Sequence, residues 1–410
     1  MSLATEAITS RNQQCRYIMT MVSSHIRRLV VLTTSMQLLW TRFVSSFPRS
    51  SLSKIPITPL TSFNSIYMQR HPTTFSSSTR GALSTTTSED IVQLSYSEFQ
   101  PSNKGTTTSQ QHHPPVILLH GLLGNKRNFA SLASSLSTQL QNPRSIYTVD
   151  LRNHGENTHD WKNTMSYSEM ARDVLAFMDK ISSEEAVIVG HSMGGKVAQS
   201  LALMAPERVA GLVVLDISPV RYYSDNTKTS GGVGDDSGWK VVEQIVRSVA
   251  QIDLEEGGYK TKREVDAVLR DGILEDPALR AFVLTNLEQL RAKDVVSDAE
   301  SQSLLKWKIH WDGIVNELDR IAGFDVHDQS MDSNLEGLEE QQQQSSQYTY
   351  DGDVFFIHGG ASRFVRSSHL STITSYFPNH MLTTIRGVGH WVHAEAPDDT
   401  IALLKRYLDR

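Results

Sequence analysis

The chain contains one cysteine, Cys15, among its 410 residues. A single thiol can form neither an intramolecular disulfide nor a thiolate metal cluster. Cys15 also lies in a segment that is interpreted below as a leader, so a cysteine nucleophile is not expected. The fifteen histidines show no H-E-x-x-H or comparable ligand spacing. The sequence therefore predicts no metal site, and nothing in it implies a cofactor.

An excess of positive charge and a long apolar run are also missing. The formal net charge is −6 and no run is rich in Lys and Arg, so a nucleic-acid partner is not indicated. Leu29 to Trp40 is too short and too polar to cross a bilayer, although it would suit the apolar core of a signal peptide. The apolar fraction of 39% and the charged fraction of 20% are typical of a globular protein.

Charge is distributed unevenly along the chain. Residues 1–88 hold nine Arg or Lys residues and one acid, Glu6. This segment is also rich in Ser and Thr, a composition typical of organelle transit peptides. We interpret it as an organelle transit peptide, mitochondrial or plastid, with another organelle address or a merely disordered tail as the alternatives. No feature of the sequence identifies a protein partner.

From about residue 89 the chain alternates between strand and helix patterns. Continuous apolar strands are expected at Pro115–His120, Ser145–Asp150, Ala186–Val189, Leu212–Leu215 and Val354–Ile357. Such runs are typical of a parallel sheet buried on both faces. An alternating strand is expected at Ile91–Phe99, and a helix with a capping box is expected to begin at Ser166. The pattern predicts an α/β fold with helices on both faces of a mostly parallel sheet.

The alternation stops after Asp216. Helices are expected at Trp239–Ile252 and from Asp276, the second burying Leu287 and Leu290. We interpret residues 217–350 as a helical cap inserted before the penultimate strand, with residues 89–216 and 351–410 forming the core. Two low-complexity stretches in the cap, 224–238 and 328–350, are predicted to be disordered surface loops.

The stretch GHSMG around Ser192 fits the G-x-S-x-G pattern of a nucleophile elbow. The pattern alone is weak, because chance matches occur in chains of this length. Here it stands between a predicted strand and a predicted helix, which is the context that the motif requires. Ser192 is therefore the predicted nucleophile, and an ordinary serine in a glycine turn is the alternative.

Two further segments supply the groups that such a serine needs. HGLLG follows the first apolar strand, so the backbone N–H groups of Leu122 and Met193 are the predicted oxyanion-hole donors. The alternative is a plain glycine turn. Among five histidines after the cap, His390 lies on a glycine-containing loop after a predicted strand and is the predicted base. His393 is its main competitor.

Six segments together carry a family resemblance: LLHGLLGNKRNFASLA, VDLRNHGENTH, MSYSEMARDV, VIVGHSMGGKVA, LALMAPERVAGLVVLDISPV and VGHWVHAEAP. The chain resembles the α/β-hydrolase superfamily, and within it the branch of abhydrolase domain-containing protein 11 and its bacterial esterase relatives. The resemblance covers about residues 113–224 and 270–410. It implies a capped serine hydrolase of carboxylic esters, with lipid acyl esters or thioesters among the substrates. The animal members of the branch are mitochondrial, which agrees with the interpretation of residues 1–88 as a transit peptide.

The acid of the triad departs from the usual superfamily pattern. After the post-cap strand, Ser362 stands where an Asp is common, and a serine cannot stay anionic beside an imidazolium. Asp216, 24 residues after Ser192 at a strand end, is the predicted acid, because a triad depends on geometry rather than chain order. Asp312 is the alternative acid. If Asp216 has no catalytic role, its alternative role is to cap a helix or turn in the sequence DISP.

The predicted function is ester hydrolysis through an acyl-enzyme on Ser192, with a small-molecule ester as substrate. Two other readings remain open from the sequence. One is different chemistry on the same fold, such as C–C bond hydrolysis or cofactor-free peroxidation. The other is a non-catalytic member that binds a ligand or a protein, since fold alone does not determine function.

Overall fold

Seven strands of the described residues form one sheet, and its strand order differs from the chain order. The computed structural model describes residues 90–101, 113–222, 238–290, 304–324 and 348–410. The predicted leader and most of the two low-complexity loops lie outside these ranges. The strands are β1 (Tyr96–Phe99), β2 (Val116–Leu119), β3 (Ile146–Val149), β4 (Ala186–His191), β5 (Val209–Leu215), β8 (Val354–Gly359) and β9 (His380–Ile385), in the spatial order β1-β3-β2-β4-β5-β8-β9.

Six of the seven strands are parallel: the five predicted from apolar runs and also β9, which is less apolar. Only β1 runs antiparallel, against β3. The prediction for Ile91–Phe99 was too long: the strand begins at Tyr96, although Val92 and Leu94 before it are buried. The Val92 N–H donates to the buried Asp173 carboxylate at 2.8 Å rather than to a neighbouring strand, which explains why the ladder starts later.

Helices cover both faces of the sheet. In chain order they are α1 (Ala130–Gln139), α2 (Tyr167–Lys180), α3 (Met193–Met204), α4 (Trp239–Ala250), α5 (Lys262–Gly272), α6 (Pro277–Leu284), α7 (Trp311–Asn316), α8 (Leu318–Ala322), α9 (Leu370–Tyr376), α10 (Val392–Glu395) and α11 (Pro397–Leu408). Side chains of α1 and α11 pack on one face, whereas those of α2 and α3 pack on the other. Successive strand residues alternate between the two cores, as the pleat requires.

The predicted capping box of α2 is present. The Ser166 hydroxyl accepts the Glu169 N–H, and the Glu169 carboxylate accepts the Ser166 N–H in return. This exchange satisfies two backbone donors that the first helical turn leaves without partners. The sequence signal and the observed helix start therefore coincide at the same residue.

The segment between β5 and β8 carries α4 to α8 and a two-stranded ribbon, β6 (Leu287–Gln289) with β7 (Leu305–Trp307). The helix predicted from Asp276 begins there but ends at Leu284, so the prediction that it continues through Leu287 was wrong. The reason is a contact with the loop after β2: the buried Asn286 side chain donates to the Leu123 carbonyl at 2.7 Å. That bond turns the chain, and Leu287 pairs with Trp307 instead.

The parallel strands bring four loops to one edge of the sheet. The loops after β2, β4, β5 and β8 begin at the carboxyl ends of adjacent strands. In open α/β sheets, ligands bind outside these ends, at the point where the strand order reverses. Here the order reverses around β2, whose neighbours are β3 and β4, so Ser192 lies directly beside the loop that follows β2.

Candidate active site

Ser192 occupies a strained turn between β4 and α3, with φ of 52° and ψ of −120°. A non-glycine residue adopts such a conformation only where its surroundings enforce it. They do so here through two glycines. A Cβ at Gly190 would lie 2.1 Å from the Gly194 carbonyl oxygen, and one at Gly194 would lie 2.4 Å from the Leu119 oxygen. The small residues of the motif are therefore steric requirements of the turn.

A pair of hydrogen bonds joins Ser192, His390 and Asp216. His390 Nε2 lies 3.0 Å from Ser192 Oγ, and His390 Nδ1 lies 2.6 Å from Asp216 Oδ2. His390 comes from the loop after β9, and Asp216 directly follows β5. The structure thus brings together the three side chains that the sequence selected, in the order hydroxyl, imidazole, carboxylate.

Asp216 is almost completely buried, at 1% exposure, in the left-handed region with φ of 55°. A buried carboxylate is stable only when hydrogen bonds replace its hydration. Its Oδ1 accepts the Gly359 N–H at 2.9 Å, and its Oδ2 accepts the Ser362 hydroxyl as well as the ring N–H of His390. The neighbouring strand β8 therefore supplies the environment of the carboxylate that ends β5.

The loop after β2 runs against the elbow. A Cβ at Gly121 would lie 3.1 Å from the Ser192 Cβ, so the backbone passes the serine in close contact. The next residues turn sharply, with Leu123 at φ of 59°. The Leu123 N–H donates to His154 Nε2 at 3.1 Å, which fixes the loop. Leu122 and Met193, the predicted oxyanion donors, both line the cavity above Ser192.

Four buried histidines surround this machinery in the neutral form. Burial lowers the pKa of His154 to about 3 and that of His393 to about 4. Burial also lowers the pKa of His120, and it holds that of His191 well below the usual value, with nearby His393 and His390 adding to the effect. For two of them the hydrogen bonds also require neutrality: His120 Nε2 and His154 Nε2 each accept a backbone N–H, which a protonated ring could not do.

An apolar cavity opens above Ser192. Core side chains such as Tyr167, Ile217 and Phe364 form its floor and one wall. The cap helices α4 and α6 close the other side with Val242, Ile245, Leu279 and Phe282. This lining can solvate a hydrocarbon group but offers few charged partners, so it suits an apolar substrate portion beside the nucleophile.

Cap and core are joined by hydrogen bonds as well as by packing. The buried Lys196 ammonium, in the first turn of α3, donates to the carbonyl oxygens of Val220 at 2.9 Å and of Ala322 at 3.0 Å, and also to that of Gly323. Its charge lies 4.6 Å from the Tyr222 ring centroid, within the range of a cation–π contact. The last cap helix is thereby held against the elbow helix.

The alternative candidates take no part in the contacts between Ser192, His390 and Asp216. Asp312 is in the first turn of α7 and faces a different cleft, lined by residues such as Ile252 and Trp307. The His393 ring packs on the rings of Phe129 and His191 at centroid distances of 4.6 Å. His390, not His393, is the histidine whose ring nitrogens contact Ser192 and Asp216.

Sequence reasoning missed three contributors. Ser362 was considered only as a residue that cannot serve as the acid, yet its hydroxyl donates to the Asp216 carboxylate. The Phe364 ring lies 4.2 Å from the His390 ring, centroid to centroid. His191 donates its Nε2–H to the His390 carbonyl at 2.9 Å. Only the position of His191 inside the elbow motif could have signalled its role, since the other two depend on how the loop after β8 folds.

Metal ligands are not clustered within the part of the chain that the structure describes. No group of three or more His, Cys, Asp or Glu side chains in those residues could hold an ion. Across the same described ranges, no helix combines the length and apolar character needed to span a membrane.

The strand order, the strained serine turn and the Ser–His–Asp contacts define a serine hydrolase of the α/β-hydrolase fold. Residues 114–244 match the family model described as the alpha/beta hydrolase fold. A solved marine microorganism esterase is similar in structure, with a TM-score of 0.59 and 26% identity over 77% of this chain and 99% of the esterase.

Curated relatives narrow the family further. The sn-1-specific diacylglycerol lipase ABHD11 of Mus musculus is 30% identical over 72% of this chain and 80% of its own length. A Schizosaccharomyces pombe abhydrolase domain-containing protein is 32% identical over 69% and 88%, respectively. Esterase YbfF of Escherichia coli is 28% identical over 72% and 92%. The chain belongs to the α/β-hydrolase superfamily, in the branch of ABHD11 and these esterases, and it is a hydrolase of ester bonds.

Proposed function

We propose that the protein cleaves carboxylic esters in two acyl-transfer steps, with Ser192 as nucleophile, His390 as general base and acid, and Asp216 as the orienting carboxylate. The observation that carries the proposal is the pair of hydrogen bonds at the two nitrogens of His390, 3.0 Å to Ser192 Oγ and 2.6 Å to Asp216 Oδ2. This arrangement holds the imidazole in the tautomer that can take the serine proton.

In the first step His390 Nε2 takes the Ser192 proton as Oγ attacks the ester carbonyl carbon. The backbone N–H groups of Met193 and Leu122 stabilise the oxyanion of the tetrahedral intermediate. Its collapse breaks the ester C–O bond, and the leaving alkoxide takes the proton from Nε2, which leaves the acyl group on Ser192. In the second step water gives a proton to Nε2 and attacks the acyl carbon. Collapse then releases the carboxylic acid and returns the proton to Ser192.

The substrate that we propose is a lipid acyl ester, with acyl thioesters as the second candidate of the same chemistry. The support is the apolar lining of the cavity beside Ser192, to which cap residues such as Val242, Ile245 and Phe282 contribute. The diacylglycerol-lipase name of the animal relatives agrees with this class of substrate. Burial of each methylene contributes about 0.8 kcal/mol, so a hydrocarbon chain gains affinity from such walls.

A fluorophosphonate probe and a series of p-nitrophenyl esters test the proposal. The wild-type protein should be labelled by the probe and should hydrolyse the esters, and Ser192→Ala should do neither. Ser131→Ala, on the exposed surface of α1, is the matched control and should behave as wild type. Ester turnover that survives in Ser192→Ala would reject Ser192 as the nucleophile.

The same probe separates the proposed function from the two alternatives. A non-catalytic binding protein would neither react with the fluorophosphonate nor turn over any ester of the series. Different chemistry on this fold would give labelling without ester turnover. The retention of hydroxyl, imidazole and carboxylate in contact favours hydrolysis, because binding alone does not need them.

We also propose a mitochondrial location. Its support is the composition of residues 1–88, with nine basic residues, one acid and many Ser and Thr residues. Fusing these residues to a fluorescent protein tests this proposal. Import into mitochondria is expected, whereas a plastid or secretory signal, or a diffuse one, would contradict it.

A further inference from the structure

His393 lines the cavity above Ser192 with a ring that is well packed but not fully hydrogen-bonded. It lies on α10, three residues beyond the proposed base His390, and its side chain forms part of the cavity wall. Its Nδ1 is buried, and among the residues that the structure describes this atom has no hydrogen-bond partner. Because buried polar atoms nearly always have a partner, the ring must take a form that tolerates this arrangement.

The surroundings of His393 determine which form that is. Burial and the nearby His390 lower the pKa of His393 to about 4, so at neutral pH the ring is uncharged and carries one proton. On Nδ1 this proton would be a buried donor without an acceptor, which is rarer and more costly than an unpaired acceptor. The proton therefore lies on Nε2, and the Nε2–H group is a donor available to a molecule in the cavity.

Two aromatic contacts hold the His393 ring in one orientation. The ring packs on the Phe129 ring and on the His191 ring, each at a centroid distance of 4.6 Å. The His191 ring is itself fixed, because its Nε2–H donates to the His390 carbonyl. A donor that is already oriented loses little conformational freedom when it binds a ligand. The Nε2–H group of His393 is thus prepared for a partner that the protein does not contain.

The His393 ring lies on the side of the serine from which the alcohol departs. In the proposed mechanism His390 Nε2 gives its proton to the leaving oxygen, so the alcohol portion of the ester lies beside the His390 ring. The His191 ring packs against both the His390 ring, at 4.7 Å, and the His393 ring, at 4.6 Å. His393 is therefore a neighbour of the base and is placed to contact the alcohol portion.

A second polar side chain, that of Asn128, lines the same cavity next to Phe129. Its Oδ1 accepts the Asn125 N–H at 2.6 Å, so its NH₂ group is the part that a ligand can use. Both Asn128 and His393 thus offer uncharged N–H donors. Such donors match the oxygen of a hydroxyl group, whereas a phosphate or carboxylate would need a positive charge to offset its desolvation.

We propose that His393 selects esters whose alcohol portion carries a free hydroxyl group, as in esters of glycerol, by donating its Nε2–H to that hydroxyl oxygen. The inference rests on the proposed function and deepens it, because the apolar cavity walls concern the acyl group and His393 concerns the alcohol. His393 transfers no proton in the reaction. Its contribution is a hydrogen bond that an ester of a simple alcohol cannot make.

Two esters of one acid test this role: 1-octanoylglycerol and propyl octanoate, which has the same three-carbon alcohol skeleton without free hydroxyls. Both give the same octanoyl-enzyme on Ser192, so a general effect on the serine cancels in the ratio of their kcat/KM values. The wild type should prefer the glycerol ester about tenfold. His393→Phe keeps an aromatic ring but removes the donor, and it should lower the ratio about fivefold. His393→Gln retains a donor and should keep most of the preference.

The matched control is His159→Phe, the same substitution at an exposed position outside the cavity, which should keep the wild-type ratio. If Ser192→Ala loses turnover but His393→Phe keeps that ratio, the role of His393 is rejected while the nucleophile stands. An equal loss for both esters rejects it as well, because damage to the site alone gives that result. If His393→Phe does not fold, His393→Met replaces it, with the same expected fall and the same contradicting outcome. A wild type that hydrolyses neither ester and resists the fluorophosphonate overturns the proposed function, and this inference with it.

Discussion

His191 donates its ring N–H to the backbone carbonyl of His390, with 2.9 Å between Nε2 and O. The residue before the proposed nucleophile therefore holds the loop that carries the proposed base. Burial keeps the pKa of His191 well below its usual value, so this ring stays neutral and keeps the hydrogen bond. The elbow thus positions the serine and also anchors the loop of its partner.

Asp216→Asn should lower kcat by about 10⁴, because an amide neither stabilises an imidazolium nor fixes the required tautomer. Steady-state hydrolysis of a p-nitrophenyl ester measures the effect. Asp312→Asn is the comparison, since Asp312 lies on α7 beside a different cleft, and its kcat should equal that of the wild type. The reverse ranking of the two variants would transfer the role of acid to Asp312.

Gly194→Ala should destabilise the protein by about 2 kcal/mol or more, because overpacking a rigid site is costly. Its new Cβ would meet the Leu119 carbonyl oxygen at 2.4 Å, and backbone cannot move aside as a side chain does. Gly272→Ala, at the exposed end of α5 with no atom within 4 Å of its Cβ, should instead stabilise by about 0.5–1 kcal/mol. Chemical denaturation measures both changes, and equal effects would contradict the steric argument.

His154 should make the protein less stable in acid. Its pKa is about 3 in the folded state and 6.5 in the unfolded one. Below pH 6.5 His154 is therefore protonated in the unfolded chain but stays neutral in the folded protein. The stabilising contribution is complete above pH 6.5 and falls by about 1.4 kcal/mol per pH unit as the pH decreases toward 3.

The variant His154→Gln isolates this contribution from those of the other titrating groups. The free energy of unfolding of both proteins is measured from pH 8 to pH 5. The wild type should be the more stable protein at pH 8, and its advantage should shrink by about 2 kcal/mol between pH 6.5 and pH 5. An advantage that stays constant with pH would mean that His154 does not resist protonation.

Ile245→Trp should shift the ester preference toward short acyl groups. Ile245 lies on the cap helix α4, and its side chain lines the cavity above Ser192. A larger ring there removes room for a long acyl chain but leaves the proposed catalytic groups untouched. The ratio of kcat/KM for octanoate over acetate esters should fall about tenfold, the effect of one to two lost methylene sites. Val268→Trp, at an exposed position of α5, is the control and should keep the ratio.

Fold class was predictable from the sequence because five of the six parallel strands are short, mostly apolar runs, as burial on both faces of the sheet requires. Ala186–Val189 and Val354–Ile357 were found on that basis, and both lie within observed strands. The end of α6 was not predictable, because apolar Leu287 and Leu290 continue the helical spacing. What ends the helix is a contact of Asn286 with Leu123, more than 160 residues away in the chain.

At the site, local motifs revealed Ser192 because a strand–turn–helix elbow is encoded in consecutive residues. Asp216 could be proposed because it ends an apolar strand, and its contact with His390 now supports that proposal. Ser362 and Phe364 could not be assigned roles in advance. Their contacts arise only when β8 aligns with β5, a pairing between segments that the entire cap separates in the chain.

The placement of Asp216 before the cap has a consequence for how this fold tolerates change. Two of the three proposed catalytic side chains, Ser192 and Asp216, lie on consecutive strands separated by 24 residues, and the cap follows both. Insertions or deletions in the cap therefore leave the spacing of nucleophile and acid untouched. After such a change β8 must still pair with β5, and β9 with β8, because His390 follows β9. The cap can therefore change in sequence and length, and with it the substrate preference, while β4 and β5 keep the nucleophile and the acid in place.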